Sequence, residues 1–419
     1  MKVDPLWPSF SDILKAYQAC RVGKPASLQQ TRFEVRLSQN ILNLHHDLHA
    51  RKYLPSKVSC FIVTHPKPRE IFAADFRDRV VHHLIVSRLD PIWERKFSHN
   101  SFACRKGKGT HGALKCLQSQ VKRISQGGTV PVYALQLDLA AFFVSIHRPT
   151  LTKLFLKHLN PRVDMLRYII ETYMNHDPRV NVRQVSSPEM HALIPREKSW
   201  FSRPSEFGLP IGNLTSQFGA NVYLNDLDHW IERKIKPMGY LRYMDDLTLF
   251  HTDRTFLETL EAPIQNWLKQ NRFMELNTKK TLLSNMRDGI DYLGYRILQV
   301  DNPQRPVELH STPKRNWAFI ADVRDLEKRG LPPMNHPHPL AIAPNMKNAR
   351  SRLATINSRL GHLKHSKSYR FKKAAFDRLK KNTSIVDLKF EHTGEGEIKI
   401  SRETWGPFKI AKDYSSITI

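Results

Sequence analysis

The sequence predicts an α+β chain in which short, hairpin-linked strands alternate with helices. Three observations carry that reading. The run GYLRYMDDLTLF (239–250) is apolar and aromatic on both sides of a tight centre, as a β-hairpin requires. GIDYLGYRILQV (289–300) repeats the strand-pair pattern. Between such runs, Val80, Val81, Leu84, Ile85 and Leu89 share one helical face.

Taken in chain order, residues 1–60 read as a helical extension with basic, His-rich turns (HHDLHARKY). CFIVTHPKPREIFAADF then gives a strand, a Pro-punctuated turn and a second strand leading into the helix of Val80 to Leu89. In SFACRKGKGTHGALKCL, a basic Gly-rich turn precedes a helix opening near Thr110. VYALQLDLAAFFVSI is a strand running into a turn, and helices fill 149–176. Residues 177–207 hold several Pro and few periodic apolar residues, so a long polar connection is expected. GLPIGNLTSQFGANVYLNDLDHWI is a loop feeding a helix, and the Asp-Asp hairpin follows it. A further helix is expected over 255–271. Residues 345–381 are basic, with Leu353, Ile356, Leu360 and Leu363 at helical spacing. Residues 383–419 alternate apolar and polar, as in a small β appendage. The expected segments are 1–60, 61–130, 131–304 with a polar insertion at 177–207, 305–382, and 383–419.

Lys and Arg number 66 against 39 Asp and Glu, a formal net charge of +27 on 419 residues. Such an excess implies a polyanionic partner, most simply nucleic acid; the alternative is a generally basic surface. Hydrophobic residues make up 40%, which excludes global disorder. Cys20, Cys60, Cys104 and Cys116 are scattered without a C-x-x-C pair, against a zinc ribbon or a secreted disulfide framework. No apolar run is long enough to span a bilayer, and MKVDPLWPSF lacks a signal-peptide core. The expected compartment is a reducing cytoplasm, with no membrane partner.

Asp245 and Asp246 stand side by side in a run that otherwise reads as buried strand. Two ionised carboxylates there repel and lose hydration, at a cost of several kcal/mol unless a cation compensates. A third carboxylate, Asp138, ends the apolar strand of ALQLDLAAFF. Three carboxylates at the ends of neighbouring strands suit two Mg²⁺ ions, which prefer oxygen ligands and keep room for substrate phosphates. Two such ions, about 4 Å apart, activate a 3′-hydroxyl and stabilise a departing pyrophosphate. The alternative, a surface Asp-Asp turn, does not explain the apolar flanks.

With these residues in view, the sequence resembles the reverse transcriptases. Tyr243-Met244-Asp245-Asp246 resembles their Y-x-D-D hairpin, and Asp138 to Phe143 their first catalytic motif. Gly208 to Gln217 (GLPIGNLTSQ) resembles the nucleotide-positioning loop. Asn277-Thr278-Lys279-Lys280-Thr281 resembles the lysine-bearing segment, and Tyr292-Leu293-Gly294-Tyr295 the primer grip. Lys67-Pro68-Arg69-Glu70-Ile71 and Ser101-Phe102-Ala103-Cys104-Arg105 resemble the finger motifs. The order is the family's, and the resemblance covers about residues 40 to 380. It implies a right-hand polymerase of fingers (61–130), palm with an antiparallel sheet (131–304) and helical thumb (305–382). The implied partners are an RNA template, dNTPs and a DNA product.

The resemblance also implies roles. Asp138, Leu139, Asp245 and Asp246 form the metal-holding set for two Mg²⁺, with Mn²⁺ able to substitute; Asp246 is often the less critical of its pair. Phe143, beside Phe142, would block a ribose 2′-hydroxyl; the plain alternative is a core Phe. Arg69 and Lys67 would hold the triphosphate, Arg offering a planar fork for phosphate oxygens, unless they form a solvated turn. Lys280, or its neighbour Lys279, would protonate pyrophosphate as general acid. Gln217 would lie against the incoming or template base, with helix capping as the alternative. Tyr292, Leu293 and Gly294 would hold the primer. Lys364, Lys367, Arg370, Lys372 and Lys373 in the basic helices would contact duplex phosphates, unless those helices present a solvated face.

The loop ending I-G-N-L-T-S-Q resembles two groups, the diversity-generating retroelement enzymes and bacterial reverse transcriptases linked to phage defence. The first would make mutagenised cDNA; the second, favoured by the long 177–207 connection and the tail, would copy a dedicated non-coding RNA. A non-catalytic RNA-binding scaffold is a third reading, opposed by the intact aspartates. No H-N-H endonuclease or RNase H carboxylate set is recognisable. Lys106-Gly107-Lys108-Gly109 reads equally as a phosphate cradle or a bare loop, and His336-Pro337-His338-Pro339 as a Pro-rich loop. A partner protein or a second copy of the chain is left open.

Overall fold

A computed structural model describes residues 7–22, 27–65 and 67–329, single positions at 355, 358, 359 and 366, and 390–393 with 397–400. The chain forms two compact units, Met1–Gln120 with Tyr133–Leu283, and Val121–Val132 with Ser284–Ile419.

The first unit opens with three helices, α1 (Phe10–Arg21), α2 (Leu28–Val35) and α3 (Leu37–His49). Ser9 caps α1 in a reciprocal box: its hydroxyl accepts from the Asp12 N–H, and the Asp12 carboxylate accepts from the Ser9 N–H. Strands β1 (Val58–Val63) and β2 (Arg69–Ala73) pair antiparallel and lead into α4 (Phe76–Trp93). The stripe expected on that helix is buried: Val80, Val81, Leu84, Ile85 and Leu89 pack in one continuous core with Ile13, Ile41 and Leu44. Helix α5 (Gly109–Ile124) follows the Gly-rich turn. Strand β3 (Tyr133–Asp138) ends in a helical turn, α6 (Phe142–Ser145), then α7 (Arg148–Lys157) and α8 (Asp164–Asn175).

Residues 177–207 are more structured than a polar connection. They hold β4 (Val182–Gln184), which pairs parallel with β1, then α9 (Pro188–Ala192) and 3₁₀ turns at Arg196–Lys198 and Trp200–Ser202. Their order rests on single anchors that leave no periodicity. Trp200 is buried and its indole donates to the Phe207 carbonyl at 2.6 Å. Arg179 donates to the carbonyls of Trp200 and Arg203.

Helix α10 (Leu214–Trp230) runs on through a π-helical stretch, Ile231–Ile235, to the hairpin β5 (Gly239–Tyr243) and β6 (Asp246–His251). Helices α11 (Arg254–Glu258) and α12 (Glu261–Arg272) precede β7 (Leu282–Asn285), whose first two residues close this unit. The sheet order is β5-β6-β3-β7.

The second unit contains an antiparallel sheet of β8 (Ile290–Tyr292), β9 (Tyr295–Gln299) and β10 (Val307–Ser311), in the order β10-β9-β8. Leu293 and Gly294 link β8 and β9 with φ of 47° and 81°, the signature of a type I′ turn. Helix α13 (Pro313–Arg329) follows, and β11 (Phe390–Thr393) pairs antiparallel with β12 (Glu397–Ile400). The units divide at 283–284, ahead of the expected limit at 304, and draw 121–132 out of the expected 61–130 segment. Gln299 supplies the reason. Its buried amide accepts from Val132 N–H at 3.0 Å and donates to the Gly128 and Val130 carbonyls at 2.9 and 2.8 Å.

None of the four cysteines, all of them described, is in a disulfide. Among the described residues no helix is long and apolar enough to cross a membrane.

Replacing Gln299 with Leu strands three backbone groups with little loss of volume. Each costs about 1–3 kcal/mol when buried without a partner, so Gln299→Leu should lower unfolding stability by about 3 kcal/mol or more. Chemical denaturation checks this; an unchanged midpoint means the loop is held by other contacts.

Candidate active site

Strand register brings the aspartates together. β3 and β6 run antiparallel with Asp138 directly opposite Asp246. β5 and β6 pair Tyr243 with Asp246, leaving Met244 and Asp245 as a two-residue turn. The Leu139 N–H donates to the Asp245 carbonyl at 3.3 Å, tying the turn to the end of β3. Met244 sits at φ 59°, a left-handed conformation costly for a side chain with a Cβ. Beyond β3, Asn277 clasps Asp138 twice: its N–H donates to the Asp138 carbonyl at 2.7 Å and its amide to Oδ2 at 3.0 Å. Lys280 Nζ lies 2.7 Å from both Asp138 carboxylate oxygens.

Asp138, Asp245, Asn277 and Lys280 line a cleft of about 270 Å³, whose lining does not include Asp246. It brings together Asp138, Leu139, Phe142, Phe143, Asp245 and Lys280 with Lys67 and Arg69 from the β1–β2 turn. Ile194, Lys198 and Trp200 from the 177–207 segment complete the wall, a contribution that its composition did not announce. Glu70 fastens that wall to β2, accepting from Ser199 Oγ at 2.6 Å and Trp200 N–H at 2.7 Å. The loop before α10 closes against it. The Leu209 N–H donates to the Phe143 carbonyl at 2.8 Å, and Gly208 takes φ 99° where any Cβ would collide with the Trp200 indole. Lys67, Arg69 and Lys198 are exposed and, with Lys280, set four cations around the carboxylates. That charge arrangement suits a polyphosphate held between cations and carboxylate-bound metal.

A family model described as reverse transcriptase (RNA-dependent DNA polymerase) matches residues 64–297, more than half of the chain. The chain belongs to the reverse transcriptase family. It is 21% identical over 306 residues to Protein YkfC of Escherichia coli (strain K12), covering 65% of this chain and 74% of that protein. Membership makes it an RNA-directed DNA polymerase, with an RNA template, deoxynucleotide substrates and a DNA product.

Not every expected site residue of this reverse transcriptase is among those lining the cleft. Gln217 is half-buried in the first turn of α10, outside the lining of the cleft. Tyr292, Leu293 and Gly294 form the β8–β9 turn of the second unit, where Arg315 donates to the Leu293 carbonyl at 3.0 Å. Lys364, Lys367, Arg370, Lys372 and Lys373 fall outside the described residues, as does His336 to Pro339. Lys106 to Gly109 form the turn before α5, with Gly107 and Gly109 at positive φ.

The Met244–Asp245 turn has a support that was not read from the sequence. Arg242 and Asp228 are both fully buried and paired at 2.7 Å. Arg242 Nη1 also donates to the Met244 carbonyl at 3.0 Å, inside the turn itself. Tyr240 and Asn221 join the network, through Asp228 and Arg242 respectively.

Among the described residues no three His, Cys, Asp or Glu side chains close into a metal cage. The donor set nevertheless fits Mg²⁺, which takes a few carboxylates and completes its shell with water and substrate phosphate. The acidities fit too. Asp245 is raised above the ordinary carboxylate range, chiefly by burial and then by the Asp138 charge, against Lys280 and Arg69. Asp246 keeps an exposed edge, but lost hydration in the packed turn, then the charges of Asp245 and Asp138, push it up to about 7. Such a pair is eased by added positive charge.

Removing one partner of a fully buried ion pair costs about 3–5 kcal/mol. Arg242→Met should therefore lose stability on that scale. Arg242→Lys, which keeps the charge but has too few donors to hold Met244, should lose less stability while cutting polymerisation at least tenfold. Denaturation and primer extension, measured side by side, test this; full extension by Arg242→Lys would remove the turn from Arg242's role.

A raised carboxylate pKa sets a sign. The folded chain keeps a proton on Asp246 that the unfolded chain releases near pH 4, so this group's contribution falls from about pH 4 to about 7 and then levels. His82, pulled down to about 3 by burial and then by the charges of His83 and Arg79, works the other way between about 3 and 6.5. Comparing wild type with Asp246→Asn in metal-free buffer cancels His82. The stability difference should favour the variant increasingly from pH 5 to 8 and shrink on adding Mg²⁺. A pH-independent difference would show that Asp246 is not strained.

Proposed function

We propose that this reverse transcriptase is a right-hand polymerase that adds deoxynucleotides to a primer by two-metal-ion transfer. We further propose that its template is a dedicated non-coding RNA and its setting bacterial antiphage defence. The observation that carries the chemistry is the β3–β6 register. It sets Asp138 opposite Asp246, with Asp245 in the adjoining turn, and Asp138 and Asp245 share one cleft with Lys67, Arg69 and Lys280. The antiphage reading is supported by the I-G-N-L-T-S-Q ending of the Gly208–Gln217 loop and by the 177–207 segment.

Asp138, Asp245, Asp246 and Leu139 would hold the metal. Bound there, Mg²⁺ supplies acidification of the primer 3′-hydroxyl and neutralises charge on the leaving group. The chain's own residues do the rest. Arg69 and Lys67 hold the triphosphate. Lys280, held beside Asp138 by its ion pair, is near enough to the phosphate path to give a proton to pyrophosphate. Phe143, whose backbone is fixed by Leu209, presents its ring where a 2′-hydroxyl would otherwise sit. Gln217, outside the cleft lining, is assigned no base contact; on the sequence resemblance, the Leu293–Gly294 turn would grip the primer and the basic residues over 345–381 would contact the duplex.

A single incorporation assay tests the core of this reading. On an RNA template with Mg²⁺ or Mn²⁺, wild type should extend a primer with dNTPs. Asp245→Asn should extend less than about a thousandth as well while melting at an unchanged or higher temperature, since it relieves repulsion without opening a cavity. Phe143→Ala should raise use of rNTPs relative to dNTPs at least tenfold. Full activity of Asp245→Asn would overturn the metal assignment, and an unmoved rNTP ratio would leave Phe143 a packing residue.

A further inference from the structure

The surface at the C-terminal end of α10 carries a second charged feature. A groove of about 860 Å³ is walled by the ends of α4 and α7 and the loop after α7, with Arg88, Arg95, Lys96, Lys157 and His158 in its lining. An adjoining hollow of about 460 Å³ shares Arg95, Lys96 and His158 and continues to His99, His229 and Arg233. The catalytic cleft meets α10 at its other end, through Leu209 and Ile211. From Leu214 to Asn225, where the hollow begins on α10, is about 16 Å of helix at about 1.5 Å per residue. The groove is therefore not an extension of the cleft.

Its charge is mostly uncompensated. Arg95, Lys96, Lys157 and Arg233 are exposed, and no acidic side chain among the described residues pairs with them. The two acids in the lining are held by other donors. Asp226 accepts from Arg272 at 2.7 Å, and Glu232 accepts from Asn100 at 2.8 Å and from the Ser98 hydroxyl and lies 3.6 Å from the His229 ring nitrogen. The two hollows share Arg95 and Lys96 and each carries three of these cations, which raises the local potential and attracts an anion. His158 registers that potential: burial, then Lys96 and Lys157, hold it below its ordinary value.

We propose that this double groove binds single-stranded RNA outside the catalytic cleft, the four cations taking phosphates and the imidazoles of His99, His158 and His229 meeting bases. A concave groove lined by cations and imidazoles favours a single nucleic-acid strand over a flat anionic membrane. Lysine and arginine stems beside stacking rings are the pairing that single strands use. The proposal takes from the family only that the partner is RNA. It does not depend on the metal assignment.

The test uses the full chain and two probes: a 40-nucleotide unstructured RNA and a 20-base-pair RNA–DNA hybrid with blunt ends. Both are titrated by anisotropy across a salt series. The groove variant is Arg95→Glu, Lys96→Glu, Lys157→Glu, Arg233→Glu. A control variant reverses Arg32, Arg36, Lys52 and Lys57, which are exposed elsewhere on the first unit. Both must melt like wild type; should the fourfold groove variant not, the corresponding Gln variant takes its place. With about 0.7 counterions released per phosphate on a single strand, losing four contacts should flatten the log–log salt slope for the RNA by about 3. Affinity at low salt should fall at least thirtyfold, with the hybrid and the control variant changed less than threefold. An equal loss on both probes, an equal loss in the control variant, or an unchanged RNA slope would each overturn the proposal. So would a groove variant that loses binding only to vesicles of anionic lipid, which would make the surface a membrane contact. Failure of Asp245→Asn to lose activity would leave these outcomes untouched.

Discussion

The Met244–Asp245 turn is held in place by one buried guanidinium. Arg242 has five N–H donors and no acceptor, and all five are used: two on Asp228, one on Asn221, one on Ser101 and one on the Met244 carbonyl. The count decides the energetics. A buried ion pair is weak evidence for stability, because desolvation offsets attraction unless every remaining donor is satisfied. Here none is left over, so the pair is affordable, and the fork geometry transmits its rigidity to Met244. That residue needs support. It sits at φ 59° while two carboxylates that repel each other flank its C-terminal side. Without an anchor the hairpin would gain by relaxing the backbone and separating Asp245 from Asp246. Lysine offers three donors and no plane, so it cannot hold the same five groups.

The cleft is arranged as opposed charge. Asp138 and Asp245 line it, and burial together with their charges makes the neighbouring Asp246 hold its proton to about pH 7. Its cations are Lys67, Arg69, Lys198 and Lys280. Lys280 reaches across to Asp138 and partly neutralises it, which leaves the strain concentrated on the Asp245–Asp246 turn. Strain placed where positive charge is to be received favours binding of that charge, since relief of repulsion adds to the coordination energy. The same crowding would be a liability in a protein with no cation to bind.

What could be read from the residues alone divides along a physical line. Apolar flanks and the position of Asp at strand ends are local, and so the three aspartates, the hairpins and the α4 stripe were legible. Pairing across long sequence distances was not. Nothing in ALQLD or YMDDL says that Asp138 faces Asp246; that follows from antiparallel register. Arg242 and Asp228 did leave a trace, since each is a charge inside an apolar run, YLRYM and LNDLDHW. Opposite charges in two buried segments have to find each other, and that argument would have paired them. Asn277 was visible only as part of the lysine-bearing segment, because a clasp on a carboxylate has no spacing signature. The 177–207 wall was missed for a similar reason: Trp200, Arg179 and Glu70 hold it by single contacts, and single contacts leave no period. Gln217 sits in the expected helix turn, but nearness in sequence to the loop did not translate into a place in the cleft.

The net charge of +27 misleads unless it is divided by what each cation does. Many arginines are consumed in the fold. Arg148 donates to the carbonyls of His176 and Ser205, Arg179 to those of Trp200 and Arg203, Arg105 to those of Ser98 and Ser101, and Arg272 to that of Tyr223. These guanidiniums satisfy backbone carbonyls, most of them in loops and turns, and their charge is spread into the protein rather than presented to solvent. What remains for a polyanion is a smaller set, and in the first unit it is not uniform. One part surrounds Asp138 and Asp245. Another lies toward the C-terminal end of α10, where the carboxylates in the lining, Asp226 and Glu232, are held by Arg272, Asn100, Ser98 and His229. Among the described residues the two parts differ in their acids: at the first Asp245 and Asp246 crowd each other, whereas at the second the acids are held by donors. A chain that must both react with nucleotides and keep hold of a long RNA has a reason to separate those tasks, since tight phosphate binding beside the aspartates would compete with the departing pyrophosphate.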